Sequence, residues 1–156
     1  MTAQIILNYR DLAPTLEQKR AKGRTIAVAN GCFDLLHVGH VRLIAAARRE
    51  ADVLVVALNA DESVRAQKGA GRPRIPLLER AEIVAALDGV HYVTSFAEPT
   101  ADSLLAALRP DVQIKGTDRT PETVPERQTV AAYGGRIAIC GDSKEHSSNA
   151  LIRKLR

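Results

Sequence analysis

The 156-residue chain predicts an α/β fold: an open, doubly wound, mostly parallel sheet of five strands in a single domain spanning residues 1–156. Three observations predict it. Short apolar runs recur without polar alternation, as in strands covered on both faces. Ala- and Leu-rich stretches at helical spacing separate them. Breakers such as Gly23, Pro110 and Gly134-Gly135 punctuate the boundaries.

The strand runs come in order. Thr25 to Ala29 is a short run with β-branched residues after Gly23. Val53 to Leu58 is apolar on both faces, and His91 to Ser95 is weaker. Asp111 to Ile114 follows Pro110, and Arg136 to Cys140 follows the glycine pair. Helices are expected over Leu12 to Ala21, Val41 to Glu50, Leu78 to Leu87, Ala101 to Leu108, Thr123 to Tyr133 and Asn149 to Leu155. Residues 1–23 read as an N-terminal extension carrying the first helix, and 24–156 as the core. Strand–helix alternation with right-handed crossovers puts helices on both faces of the sheet. The segment Lys68 to Pro76 is a breaker-rich, cationic loop. It reads as a mobile phosphate-facing lid or as an ordinary solvated loop.

Composition narrows the function classes. No apolar run approaches the ~20 residues of a membrane helix, and Met1 to Asp11 lacks the pattern of a secretion signal, so a cytoplasmic protein without membrane partners is expected. Two cysteines make no disulfide framework. The net charge of +4 is scattered, and three Tyr and two Phe with no Trp leave few base-stacking platforms. That balance suits an anionic small molecule better than nucleic acid.

The chemistry is expected in Asn30 to His40, since ligands of open α/β sheets bind beyond the carboxyl ends of the strands. Gly31 permits a tight strand exit or close approach of a phosphate. His37 and His40, three apart, point to one side if they open a helix, whose free N–H groups favour anions. Gly39 leaves room for a ligand beside them. Ser147 and Ser148 precede the last helix and either cap it or form a second anion site. Lys115-Gly116 leaves the fourth run on the same sheet edge, reaching a phosphate or only solvent. The histidines could instead be core residues, or zinc ligands with Cys32 and Asp34.

Gly31, Phe33, Asp34, His37, Gly39 and His40 together spell G-x-F-D-x-x-H-x-G-H. This resembles the signature of the cytidylyltransferase-like nucleotidyltransferases, which share a Rossmann-like doubly wound fold. Further stretches resemble the heptose 1-phosphate adenylyltransferase family of ADP-heptose synthesis: Asn59 to Arg65, Lys68-Gly69, Arg72-Pro73, Arg80-Ala81-Glu82, Lys115 to Asp118, Tyr133 to Arg136 and His146 to Ser148. In that family the domain is often fused to a sugar kinase, so the chain corresponds to a stand-alone form or an excised domain. It departs from the family at Thr117 to Arg127 and at Asn149.

The resemblance implies direct transfer of a nucleotide to a phosphorylated acceptor, with release of pyrophosphate and no covalent intermediate. ATP (or CTP) and a sugar phosphate would be the partners, Mg²⁺ would accompany the triphosphate, and the chain would be a homodimer. His37 and His40 would contact the α- and β-phosphates and Lys68 would be catalytic. Asn30, Gly31, Cys32, Phe33, Asp34, Gly39, Asp118, Ser147 and Ser148 would bind nucleotide. Asn59, Arg72, Arg80, Lys115 and Gly116 would bind the second substrate, and the polar stretch Gly116 to Gln128 could line its pocket. A cytidylyltransferase acting on glycerol 3-phosphate and a non-catalytic nucleotide-binding module are the competing readings.

Overall fold

The computed structural model describes residues 2–143 and 146–155. Six strands form one parallel sheet: β1 Gln4–Asn8, β2 Ile26–Gly31, β3 Val53–Asn59, β4 Tyr92–Phe96, β5 Val112–Gly116 and β6 Arg136–Cys140. Their spatial order is β1-β4-β3-β2-β5-β6. The helices are α1 Tyr9–Ala21, α2 Val38–Ala47, α3 Asp61–Lys68, α4 Leu77–Ala85, α5 Asp102–Leu108, α6 Arg127–Ala132 and α7 Ser148–Lys154, with a 3₁₀ turn at Pro121–Thr123. No helix among the described residues is long and apolar enough to cross a membrane.

The strand pattern explains the layers. In β3 every residue is buried. Leu54, Val56 and Leu58 enter a core with Ile44 and Ala47 of α2 and Ala81 and Val84 of α4. Val53, Val55 and Ala57 enter a second core with Leu12 and Leu16 of α1 and Leu104, Leu105 and Leu108 of α5. A run apolar on both faces is what a central parallel strand requires. Helix α5 has seven residues, too few to persist alone. Its three buried leucines hold it to the sheet, at roughly 2 kcal/mol apiece.

Two elements differ from the sequence reading. The sheet has a sixth strand, because Gln4–Asn8 pairs with β4 at the edge; the segment preceding α1 is therefore part of the sheet. Its side chains stay half exposed, so the apolar signal is short. Asn8 then caps α1 through its side chain, accepting from the Arg10 N–H at 3.0 Å. Helix α3 stands where the sequence predicts none, since its residues DESVRAQK are almost wholly polar.

Chain order places the site. From β2 the sheet grows to β3 and β4 on one side, and β5 and β6 lie on the other. The carboxyl ends of β2 and β5 therefore flank a topological switch point, where crossovers diverge and leave a crevice.

Candidate active site

A cavity of about 590 Å³ opens at that crevice. It is lined by the ends of β2 (Asn30, Gly31), β3 (Asn59) and β5 (Lys115, Gly116), and by His37 and His40 of the loop and helix after β2.

The arc from β2 into α2 is tightly determined. Phe33 and Leu35 both take positive φ, 51° each, an uncommon and strained state for non-glycine residues. Asp34 between them is 1% exposed. Its carboxylate accepts from Arg72 Nε at 2.8 Å, from the Arg74 N–H at 2.9 Å and from the Ile75 N–H at 3.0 Å. Burial alone would raise its pKa; the bonds from Arg74, Arg72 and Ile75 outweigh burial and hold it below the ordinary value. Asp34 thus fastens the Arg72–Ile75 stretch to the β2–α2 arc and is occupied by protein rather than ligand.

His37 and His40 form a reciprocal cap on α2. His37 Nδ1 accepts from the Gly39 N–H at 3.1 Å, and His40 Nδ1 accepts from the His37 N–H at 3.2 Å. A ring nitrogen that accepts carries no proton, so the hydrogen-bond pattern assigns the ring proton of each imidazole to Nε2. The ring centroids lie 4.0 Å apart. Two N–H donors are thereby set side by side at a helix N-terminus, an arrangement suited to adjacent phosphate oxygens.

The structure also revises Gly39. A Cβ there would lie 2.8 Å from His37 Cε1 and 2.9 Å from its Nδ1. The missing side chain makes room for the His37 ring rather than for a ligand. Gly39 lines a small neighbouring hollow shared with His146, whose ring centroid is 6.3 Å from that of His37. Phe33, buried in the core, places its ring 5.2 Å from His40.

Most of the remaining expected residues converge. Cys32, Phe33, Asp34, Lys68, Arg72, Asp118, Ser147 and Ser148 also line the cavity. Lys68 ends α3 and reaches the rim from there. Ser147 caps α7, accepting from the Ala150 N–H at 3.0 Å, and Ser148 Oγ donates to the Asp34 and Leu35 carbonyls. The Ser148 hydroxyl thereby ties α7 to the β2–α2 arc. Burial lowers the pKa of Lys115, whose Nζ donates to the Asn30 carbonyl at 3.4 Å.

Arg80 is the exception. It lies in α4, is 1% exposed and does not line the cavity. Its guanidinium donates to the carbonyls of Ile75, Cys32 and Asn59 and to Asp61, at 2.6–2.9 Å. A fork of five donors is well matched to several carbonyls at once. Arg80 ties the exits of β2 and β3 together beneath the site, so the expectation that it contacts substrate gives way to a structural role.

Arg119 and Glu126 of the expected Gly116 to Gln128 stretch also line the cavity, and the sequence carried no sign of Gln67, Pro99, Thr100 and Asn149 there. Asn149 Oδ1 accepts from Arg72 at 2.7 Å, linking α7 to the cationic loop. Cys32 Sγ donates to Asn59 Oδ1 at 3.7 Å, and burial pushes its pKa up, away from a thiolate ligand. Among the described residues no group of three or more His, Cys, Asp or Glu side chains could hold a metal ion.

The cytidylyltransferase-like family profile matches residues 28–153. The chain is 46% identical over 144 residues to the bifunctional protein HldE of Syntrophotalea carbinolica, covering 92% of this chain and 29% of that protein. It is 42% identical over 151 residues to the bifunctional protein HldE of Pseudomonas aeruginosa, covering 97% and 32%. The chain thus spans about 30% of the length of the curated relatives it matches. Among solved structures, the lipopolysaccharide core biosynthesis protein of Thermoplasma volcanium superposes with a TM-score of 0.64 at 22% identity, over 75% of this chain and 94% of that one. Pantothenate synthetase of Thermus thermophilus does so with 0.62 at 13% identity, over 96% and 70%, and these two show the shared fold. With a family match from the middle of β2 into α7 laid over this cavity, the chain belongs to the cytidylyltransferase-like family and is a nucleotidyltransferase.

Proposed function

We propose that the chain transfers AMP from ATP to heptose 1-phosphate, giving ADP-heptose and pyrophosphate. The observation that carries the reading is the His37–His40 pair, whose Nε2 protons are set by the helix cap at the mouth of the crevice. The acceptor's phosphate oxygen attacks the α-phosphorus, forming a new P–O bond as the bond to the β-phosphate oxygen breaks. The electron pair leaves with pyrophosphate. The attacking phosphate is already ionised, so no general base is needed, and catalysis rests on positioning and charge stabilisation. His37 and His40 hold the α- and β-phosphates, Lys68 faces the departing pyrophosphate, and Lys115 takes the acceptor phosphate. Arg72 acts from behind, through Asp34 and Asn149.

Mg²⁺ would neutralise the triphosphate, held by phosphate oxygens and water. The donor set fits an ion that arrives with its nucleotide, since no ready-made ligand cluster exists among the described residues. Activity in the cytoplasm as a homodimer completes the reading. The test is pyrophosphate release from ATP and from CTP, each with heptose 1-phosphate and with glycerol 3-phosphate. ATP with heptose 1-phosphate should turn over fastest. Preference for CTP with glycerol 3-phosphate overturns the substrates, and no release from any pair overturns catalysis.

A further inference from the structure

The cavity carries an acidic feature that phosphate binding leaves unexplained. Glu126, at the start of α6, is 4% exposed yet lines the cavity. Its Oε1 accepts from Gln113 Nε2 at 2.9 Å, and the same nitrogen donates to Asn30 Oδ1 at 3.0 Å. No protein hydrogen-bond donor reaches its other oxygen among the described residues. Gln113 lies in β5, is wholly buried, and leaves its own Oε1 without a partner among the described residues. Burying the Gln113 amide in half-satisfied form is unfavourable, and the second oxygen of Glu126 is left open toward the cavity.

Charge decides which part of a ligand that is. His37, His40, Lys68 and Lys115 suit phosphates, and a carboxylate facing a phosphate would repel it. Glu126 must therefore meet an uncharged portion that donates hydrogen bonds. Vicinal hydroxyls do so, and a carboxylate accepting from a ribose is a recurring solution in doubly wound folds. Asp118 lines the cavity as well, and both carboxylates counter the burial that lowers Lys115.

We propose that Glu126, held in place by Gln113, is the diol-binding group of this site, accepting from the vicinal hydroxyls of the nucleotide ribose. The assignment rests on the nucleotidyltransferase reading of the same cavity, and it is indifferent to the base. Gln113 is a positioning residue that acts through Glu126. The hydroxyls of a sugar acceptor share this chemistry, and the experiment separates the two sources.

Titration calorimetry on the full chain measures ATP, CTP, 2′-deoxy-ATP, 3′-deoxy-ATP and inorganic pyrophosphate against wild type, Glu126→Ala, Glu126→Gln and Gln113→Leu. Loss of a charge-assisted hydrogen bond should weaken ATP and CTP about 10- to 100-fold in Glu126→Ala, with pyrophosphate unchanged. One deoxy analogue should bind wild type and Glu126→Ala alike, because hydroxyl and carboxylate belong to one contact and their deletions do not add. Glu126→Gln, which keeps an acceptor for Gln113, should fall between, and it serves if Glu126→Ala does not fold. Gln113→Leu should weaken ATP without touching pyrophosphate. A rise in KM for heptose 1-phosphate at constant kcat, with nucleotide binding unchanged, overturns the ribose assignment and gives the diol to the acceptor. Unchanged affinity and KM overturn the proposal, as do additive penalties or equal losses for ATP and pyrophosphate. Wild type that binds neither ATP nor pyrophosphate overturns this and the phosphate-site reading together. Preference for CTP over ATP in turnover overturns only the substrate assignment.

Discussion

The two walls of the crevice are built on different plans. On the β2–α2 wall the protein satisfies its own polar groups: Asp34 takes three donors, and the two histidines accept from backbone N–H groups. On the β5–α6 wall Lys115 reaches a carbonyl only at 3.4 Å, and Glu126 takes a single donor among the described residues, Gln113. In the proposed reaction the first wall is preorganised, so its donors would need no rearrangement when charge develops on the transferred phosphate. The second is left for a ligand to complete, and there the proposed selectivity between substrates would be set. Substitutions on the first wall should therefore affect stability or kcat, and those on the second KM.

The largest effect is expected at Asp34. Asp34→Ala leaves the nearly buried Arg72 guanidinium without its carboxylate, a loss of about 3–5 kcal/mol. The pH dependence has a definite sign. The folded-state pKa of Asp34 lies below its unfolded value, so the stabilisation is complete above the ordinary carboxylate range, about pH 4. It is lost as pH falls through the lowered value. Thermal melts from pH 7 to pH 2 should show a steep acid decline in wild type and a shallower one in Asp34→Asn. Parallel declines in the two proteins would mean that Asp34 does not fasten this wall.

Next comes the histidine pair. In His40→Asn the amide oxygen occupies the place of Nδ1, which preserves the cap and removes the Nε2 donor. Turnover should fall roughly 100- to 1000-fold with melting temperature nearly unchanged. His40→Ala should lose the same activity and, with the cap gone, about 1 kcal/mol of stability as well. Near-normal turnover in His40→Asn would remove the imidazoles from catalysis.

Gly39→Ala sharpens the comparison further. Its Cβ collides with the His37 ring within the protein itself, so the ring must swing before any ligand arrives. About 1–3 kcal/mol of strain is expected, and kcat should drop while KM for the acceptor holds. Unaltered kcat with a raised KM for nucleotide would restore Gly39 to a ligand-facing role.

One wall is more legible in the sequence than the other. Gly31 to His40 is readable because its chemistry is local: a strand exit, two histidines at helical spacing and a small residue between them. The double-faced apolar run of β3 announces a central strand for the same reason. Edge strand β1 is hidden because its side chains are half exposed, and α3 because its sequence is polar. Arg80 misleads because a cation looks the same in sequence whether it meets a phosphate or a ring of carbonyls. Its partners Cys32 and Asn59 lie 48 and 21 residues away, so only the folded packing decides. Gln113 and Glu126 are two single polar residues 13 apart whose pairing emerges only when α6 docks against β5. A glutamine between the buried apolar Val112 and Ile114 is the signal for Gln113, and the polar stretch Gly116 to Gln128 is the signal for Glu126.

The smallest expected effect concerns the loop between α3 and α4, where the two plans meet. The sequence suggests a mobile cationic lid or an ordinary solvated loop; the structure divides it. Arg72 is nearly buried, and the N–H groups of Arg74 and Ile75 are held by Asp34. Gly69 and Gly71, exposed and at positive φ, have open space around them. A hinge is therefore confined to the stretch that follows Lys68. Limited trypsin digestion should cut after Lys68 well before it cuts after Arg74, because the bond following Arg74 enters backbone already tied to the first wall. Saturating ATP with Mg²⁺ should slow the first cut severalfold, since Lys68 faces the departing pyrophosphate in the proposed complex. Cutting after Arg74 should respond less, having been protected from the outset. Equal rates at Lys68 with and without nucleotide would leave this loop a fixed rim, and closure would have to come from another part of the molecule.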